Sequence, residues 1–224
     1  MYLNMKQLIY RNRYFLIPQL VFLLIGAVLL IVFPKTDLHV RINQLHTSWL
    51  DVFFRSITYL GSGYMYIPVL FILFYKEIKW MVFYGISLGI SNLLLLLFKR
   101  VIFADFNRPT NYSPLFENYQ LHLVEGVDMH RFHSFPSGHT TTAFTVFFFL
   151  AILCKNNVIK FLLFTLAILT AYSRVYLSQH FFEDIVAGSV LGTGTVLLAY
   201  YILTYWQKEW MNRSFKQYFL SRKS

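Results

Sequence analysis

Residues 173–184 read SRVYLSQHFFED, and they stand between two long apolar runs at 158–174 and 183–206. Arg174 precedes His180 by six residues, and Asp184 follows it by four. Residues four apart on a helix share a face, so the spacing predicts that Asp184 holds the His180 ring. A carboxylate on one ring nitrogen fixes the tautomer and makes the other nitrogen a better nucleophile. An arginine beside such a pair completes a set of parts for handling phosphate. The stretch therefore places polar chemistry at the ends of apolar helices, which sets the fold class as well as the function.

The rest of the chain agrees with that class. It is 57% hydrophobic and 20% aromatic, with only 13% charged residues over 224 positions. A soluble domain carries about 25% charged residues, so lipid is the expected solvent for most of the surface. A spanning helix needs about 20 mostly apolar residues. Six stretches qualify: 14–33, 56–75, 80–98, 139–154, 158–174 and 183–206. The expected architecture is all-α and polytopic, a single integral membrane domain over 1–224 with one long extracytoplasmic loop at 99–136. Gly61, Gly63 and Pro68 predict a kink in the second span. The fourth and fifth spans are short and joined by a tight turn at Lys155-Asn156-Asn157. The first apolar run lacks a small-residue cleavage site and reads as a retained helix. The single cysteine, Cys154, excludes an internal disulfide and a Cys-based zinc site, and packing accounts for it.

The net charge of +10 could suggest nucleic acid, but the cations are scattered among apolar spans, so membrane topology explains them better. With the N-terminus inside, twelve of the twenty Lys and Arg residues are cytoplasmic and eight are not. Several of the eight belong to the candidate site, and discounting them the positive-inside rule puts both termini in the cytoplasm. The cytoplasmic set includes Lys160, Lys216, Arg222 and Lys223. Tyr200, Tyr201, Tyr205, Trp206 and Trp210 are expected at the last exit as an aromatic belt. The chain makes no crossing from Arg108 to His139 and two from His139 to Arg174. The three polar segments thus emerge together on the face away from the cytoplasm.

Pro136-Ser137-Gly138-His139 opens the fourth apolar run. Ser137 is a natural N-cap, and free N–H groups at a helix start bind anions. Gly138 lets a phosphate oxygen approach the backbone, and His139 can donate a proton to a leaving oxygen. Arg108-Pro109 supplies a further cation. In the loop 110–133, His122, Glu125, Asp128, His130, Arg131 and His133 match no standard metal spacing. A polar lid or headgroup surface is expected there, with Tyr112, Phe116 and Tyr119 leaning on lipid.

Together these segments resemble the signature of the type-2 phosphatidic acid phosphatase superfamily: KxxxxxxRP, then PSGH, then SRxxxxxHxxxD. Pro136–His139 match the second motif, and Ser173, Arg174, His180 and Asp184 match the third. The first departs, because Val101 stands where lysine is expected, and Lys99 and Arg100 lie two and one residues earlier. The resemblance implies that His180 is the nucleophile, giving a phosphohistidine, that Asp184 orients it, and that His139 is the acid and base. It implies that Lys99, Arg108, Ser137, Gly138 and Arg174 hold the phosphate oxygens, with no metal or other cofactor. The expected activity is hydrolysis of a lipid phosphate monoester or diphosphate: undecaprenyl diphosphate, phosphatidylglycerophosphate, phosphatidic acid or a lipid A phosphate. The expected partners are that lipid and the bilayer, not nucleic acid. The expected setting is a bacterial inner membrane with a periplasmic site. A non-catalytic lipid-phosphate binder of the same fold would not need a nucleophile with an orienting carboxylate. A transporter would carry ionisable groups at mid-span, where these runs have none. Vanadium haloperoxidases share the anion motifs but are soluble.

Overall fold

A computed structural model describes residues 3–206 and 208–214. Lys216, Arg222 and Lys223, counted above for orientation, lie outside the described residues, as does the Phe116 side chain. Among the described residues the secondary structure is helical throughout, with one isolated bridge between Glu77 and Ser214. A short α1 (Met5–Arg11) starts in a capping box, in which Asn4 Oδ1 accepts from Gln7 N and Gln7 Oε1 from Asn4 N. It leads into α2 (Arg13–Val32), whose Ile17, Leu20, Leu24, Val28 and Ile31 side chains are exposed. A 20-residue helix with that surface requires lipid around it.

Two shorter helices, α3 (Lys35–Asn43) and α4 (Ser48–Ile57), follow. Sequence patterning had not resolved either. The stretch 56–75 is not one straight helix. It comprises the end of α4, 3-10 turns around Ser62, and α5 (Tyr66–Phe74), with a bend of 57° between the two halves. The expected kink is therefore a break. Next come α6 (Ile78–Leu97), a π-helical turn at Phe98–Ile102, the loop with its single helical turn α7 (Ser113–Phe116), then α8 (Gly138–Leu153), α9 (Asn157–Tyr176) and α10 (Phe182–Tyr205). Among the described residues four helices are long and apolar enough to cross a membrane, and the bent pair makes a fifth. The remaining apolar helix, α8, has only 16 residues.

α8 is short because it lies inside the bundle. Twelve of its residues are buried, and the helix is apolar all round, as a core helix must be. It packs most extensively on α9 and α10, and α2 adds Phe15, whose ring meets Phe144 and Phe148. The α8–α10 contact depends on Gly188 and Gly192, a small-xxx-small pair that lets backbones approach. A Cβ on Gly188 would stand 2.8 Å from the Ser137 carbonyl oxygen, and one on Gly192 2.5 Å from that of Thr141. Gly194, two residues on, faces open space.

Where α1 meets α9 and α10, two polar side chains turn inward, and for Tyr200 this corrects its expected place in an aromatic belt. Lys160 is buried, and its Nζ donates to the Arg11 carbonyl at 2.6 Å. Tyr200 is likewise buried, donating to the Leu3 carbonyl at 3.0 Å, whereas Tyr201, Tyr205, Trp206 and Trp210 are exposed. The Arg11 carbonyl is among those left over at the end of α1, and the buried Lys160 satisfies it.

The close approach at Gly192 has a direct test. Gly192→Ala forces α8 and α10 apart and should cost about 1–3 kcal/mol, as overpacking of a tight contact does. It should lower the detergent-solubilised melting temperature, while Gly194→Ala leaves it unchanged.

Candidate active site

Three chain segments build the site, and each is fixed by a local turn. α9 ends at Tyr176, and the chain doubles back so that the N–H groups of Gln179 and His180 both donate to the Arg174 carbonyl, at 2.9 and 3.1 Å. Ser178 sits in this turn with φ 51°, a strained conformation for a residue with a side chain. Its hydroxyl is held by His39 Nε2 at 3.1 Å and Asn43 Nδ2 at 3.2 Å, both from α3. The previously unresolved helix α3 therefore buttresses the turn that carries His180.

His180 and Asp184 do meet, with Nδ1 to Oδ2 at 3.1 Å, but not as two residues on one helix face. His180 precedes the N-cap Phe181, and Asp184 is the third residue of α10. The Asp184 carboxylate folds back to accept the Phe181 N–H at 3.0 Å, and that capping geometry brings it to the ring. Ser134 donates to the same oxygen at 2.5 Å and lies 3.4 Å from His180 Nδ1. With Nδ1 engaged by Asp184, Nε2 is the ring atom left for chemistry. Burial, followed by the charges of Arg108, Lys99 and Arg174, holds the His180 pKa well below the usual imidazole value.

The second segment is the start of α8. Ser137 is its N-cap, its Oγ accepting from Thr140 N at 3.4 Å, and its own N–H donates to the Asp184 carbonyl at 3.0 Å. That one backbone bond joins the α8 start to the first turn of α10. His139 follows at the second position of α8. Gly61, from the break after α4, lies directly against it: a Cβ there would be 2.6 Å from the His139 carbonyl oxygen.

The cations come from three places. Arg108 Nε donates to the Phe132 carbonyl at 3.0 Å, and its Nη1 to the Gln179 carbonyl at 3.0 Å and to Gln179 Oε1 at 3.3 Å. Arg174 donates through Nη1 to Thr58 Oγ1 at 2.7 Å and through Nη2 to Gln179 Oε1 at 3.3 Å. Its Nε is buried with no partner among the described residues. Such orphaned buried donors are rare in folded proteins.

Lys99 and Arg100 separate cleanly. The π-helical turn at Phe98–Ile102 widens the helix there, which is how such turns take up extra residues. Lys99 Nζ reaches the His133 carbonyl at 2.7 Å, and its Cε would be 3.8 Å from a Cβ on Gly138. Arg100 is exposed and donates from Nη1 to the His133 ring at 3.2 Å. Lys99 thus stands over the α8 start, and Arg100 does not.

Residue-by-residue reading of the sequence missed Ser134, Gln179 and Thr58. Gln179 accepts from both arginines and is itself anchored through Nε2 to the Asp128 carbonyl at 2.9 Å. Its position beside His180 was the available signal. Nothing local marks Ser134 or Thr58. The polar loop cluster disperses: His122 pairs with Asp51 at 2.9 Å, and Glu125 offers its carbonyl to Arg55. Among the described residues no group of three His, Cys, Asp or Glu side chains could hold a metal ion. Tyr112 packs inward on the Phe181 ring at 5.5 Å rather than on lipid, whereas Tyr119 is exposed.

Lys99, Arg108 and Arg174 face one buried carboxylate, Asp184. The excess of two positive charges matches a phosphate monoester, which carries nearly two negative charges at neutral pH. An all-helical membrane protein with a buried histidine–carboxylate pair beside a cluster of cations is the class that fold and site define. The chain belongs to the PAP2 superfamily, whose sequence profile matches residues 80–208. It is 29% identical over 186 residues to the lipid A 4'-phosphatase of Porphyromonas gingivalis, covering 80% of this chain and 77% of that protein. Its fold is similar to the crystal structure of Aquifex aeolicus LpxE, with TM-score 0.63 and 31% identity over 73% of this chain and 92% of that one. It is also similar in fold to the PAP2-type phosphatidylglycerolphosphate phosphatase of Bacillus subtilis, with TM-score 0.57 and 23% identity over 88% and 98% of the two chains.

Two outcomes are expected of this geometry. Gln179→Met keeps the side-chain volume but removes the shared acceptor, so both guanidinium groups lose their alignment. Binding of inorganic phosphate, measured calorimetrically in detergent, should weaken about tenfold, the scale of one hydrogen bond to a charged group. In nitrogen-15 histidine spectra, the His180 ring should remain neutral, with its proton on Nδ1, as the pH falls through 6.5. The sign follows from the lowered pKa, since the proton is taken up only under more acidic conditions.

Proposed function

We propose that this protein is an integral membrane phosphatase that hydrolyses a phosphate monoester or diphosphate of a lipid through a phosphohistidine. The observation that carries the reading is the His180–Asp184 pair enclosed by three cations at the α8 N-terminus, with the Arg174 Nε–H left unpaired. The names of its relatives point to the same substrate class.

In the first step the Nε2 lone pair of His180 attacks phosphorus, and the bond from phosphorus to the lipid oxygen breaks in line. The proton on His139 goes to that oxygen, which leaves as an alcohol or as a lipid phosphate. Asp184 holds the Nδ1 proton and balances the positive charge that grows on the ring. In the second step water attacks phosphorus, His139 takes its proton, and the P–N bond breaks. Inorganic phosphate departs, and both histidines return to their starting states.

Lys99, Arg108 and Arg174 stabilise the three equatorial oxygens, with the Ser137 hydroxyl and the Gly138 N–H beside them. Phosphoryl transfer asks chiefly for positioning and charge stabilisation, and these residues supply both without a metal. The membrane arrangement that fits is six spans, counting the bent pair and α8. Both termini then lie in the cytoplasm, and the site opens on the periplasmic side of a bacterial inner membrane.

The test is phosphate release from detergent-solubilised phosphatidic acid, phosphatidylglycerophosphate, undecaprenyl diphosphate and lipid A. Release from at least one is expected to persist in EDTA, and His180→Ala should reduce it by roughly a thousandfold or more, as loss of a nucleophile does. With a phosphorus-32 substrate, label should be trapped on His180, in a form stable to alkali and labile to acid. Strict dependence on Mg²⁺, or full activity in His180→Ala, would overturn the mechanism.

A further inference from the structure

The cradle accounts for Lys99, Arg108 and Arg174, yet the positive charge does not stop there. A recess of about 360 Å³ opens from the outer side of Lys99 and Arg108, and its other walls carry Arg100, His130, Arg131 and His133. Among the described residues no carboxylate lines it. Arg100, His130 and Arg131 are all exposed, and none forms an ion pair among the described residues. Arg100 makes one side-chain hydrogen bond, to the His133 ring.

The backbone holds this recess open. His133 adopts φ 56°, an uncommon conformation for a residue with a side chain. In that conformation its carbonyl accepts Lys99 from the cradle, while its ring accepts Arg100 from the recess. The adjoining strand-like pairing, Arg108 N to Arg131 O at 2.9 Å and Ser134 N to Phe106 O at 2.8 Å, fixes Arg131 beside Arg108. Each side of His133 therefore presents cations, one set inward and one outward.

We propose that Arg100 and Arg131, with His130, form a second anion subsite that takes another phosphate of the same substrate lipid. One phosphoryl group is already matched by the cradle, so a further group of cations without counter-ions suits a second charge. Guanidinium forks are the side chains that best recognise phosphate oxygens. Because the recess shares the Lys99 and Arg108 wall, that charge lies close to the scissile phosphate. The substrate class is then a lipid diphosphate, or a lipid whose phosphodiester sits one short linker from the terminal phosphate. This inference rests on the phosphatase reading but is separable from it.

The experiment compares farnesyl diphosphate with farnesyl monophosphate, two substrates with one tail, in wild type and in the Arg100→Ala/Arg131→Ala double variant. The expected result is that KM for the diphosphate rises about tenfold more than KM for the monophosphate, the scale of a lost charged hydrogen bond. Arg41→Ala, in a separate recess with Asp37 and Tyr119, should leave the ratio of the two KM values as in wild type. In a His180→Ala background, pyrophosphate binding should fall by a similar factor when both arginines are removed, and orthophosphate binding much less. Arg100→Lys/Arg131→Lys, which keeps the charge without the fork, should fall between.

An equal loss for both ligands, or no loss for either, would overturn the subsite while leaving the phosphatase reading intact. Selective loss of pyrophosphate binding in a protein that hydrolyses no lipid would support the subsite and sink the phosphatase reading.

Discussion

The structure depends on the approach of α8 to α10 through Gly188 and Gly192. At that distance there is no room for a Cβ, so the two backbones meet and the Ser137 N–H reaches the Asp184 carbonyl. One end of the contact is the first turn of α8, and the other is the carboxylate that grips His180. In a bilayer, helix association draws on close van der Waals packing rather than on expulsion of water. The same packing that joins the helices therefore sets the register between the His180–Asp184 pair and the cations around it. A shift of one residue at the glycine pair would part them.

Gathering Lys99, Arg108 and Arg174 around one carboxylate is costly in a buried setting, since each charge gives up its water. Dipoles offset part of that cost. The carbonyls of Phe132, Gln179 and His133, the Thr58 hydroxyl and the Gln179 amide all turn their oxygens toward the cations. These acceptors are neutral, so the excess positive charge persists. Neutral acceptors fix geometry without cancelling the charge.

How much was legible follows the range of each interaction. The apolar runs announced α2, α6, α8, α9 and α10 to within a residue or two, because twenty apolar residues are a property of one segment. Asp184 and His180 could be paired from spacing, though the contact is a helix-capping turn rather than a helix face. The displaced first motif could be posed but not resolved, since Lys99 and Arg100 have the same charge and only the π-helical turn tells them apart. Gln179 and Ser134 escaped because an amide and a hydroxyl carry no charge pattern, and their roles exist only through partners distant in sequence. α3 escaped because it is short and polar enough to look like loop, yet His39 and Asn43 hold the strained Ser178.

By itself the sequence determined that the protein is all-helical, that lipid surrounds it, and that histidine, arginine and carboxylate groups sit at helix ends. Those are one-dimensional properties, set by hydropathy over a window and by residue identity. Only the tertiary structure decided which cation enters the cradle, which neutral groups align it, and where the surplus charge lies. Each of those depends on side chains from different helices meeting across a few ångströms, a distance that no spacing along one chain encodes.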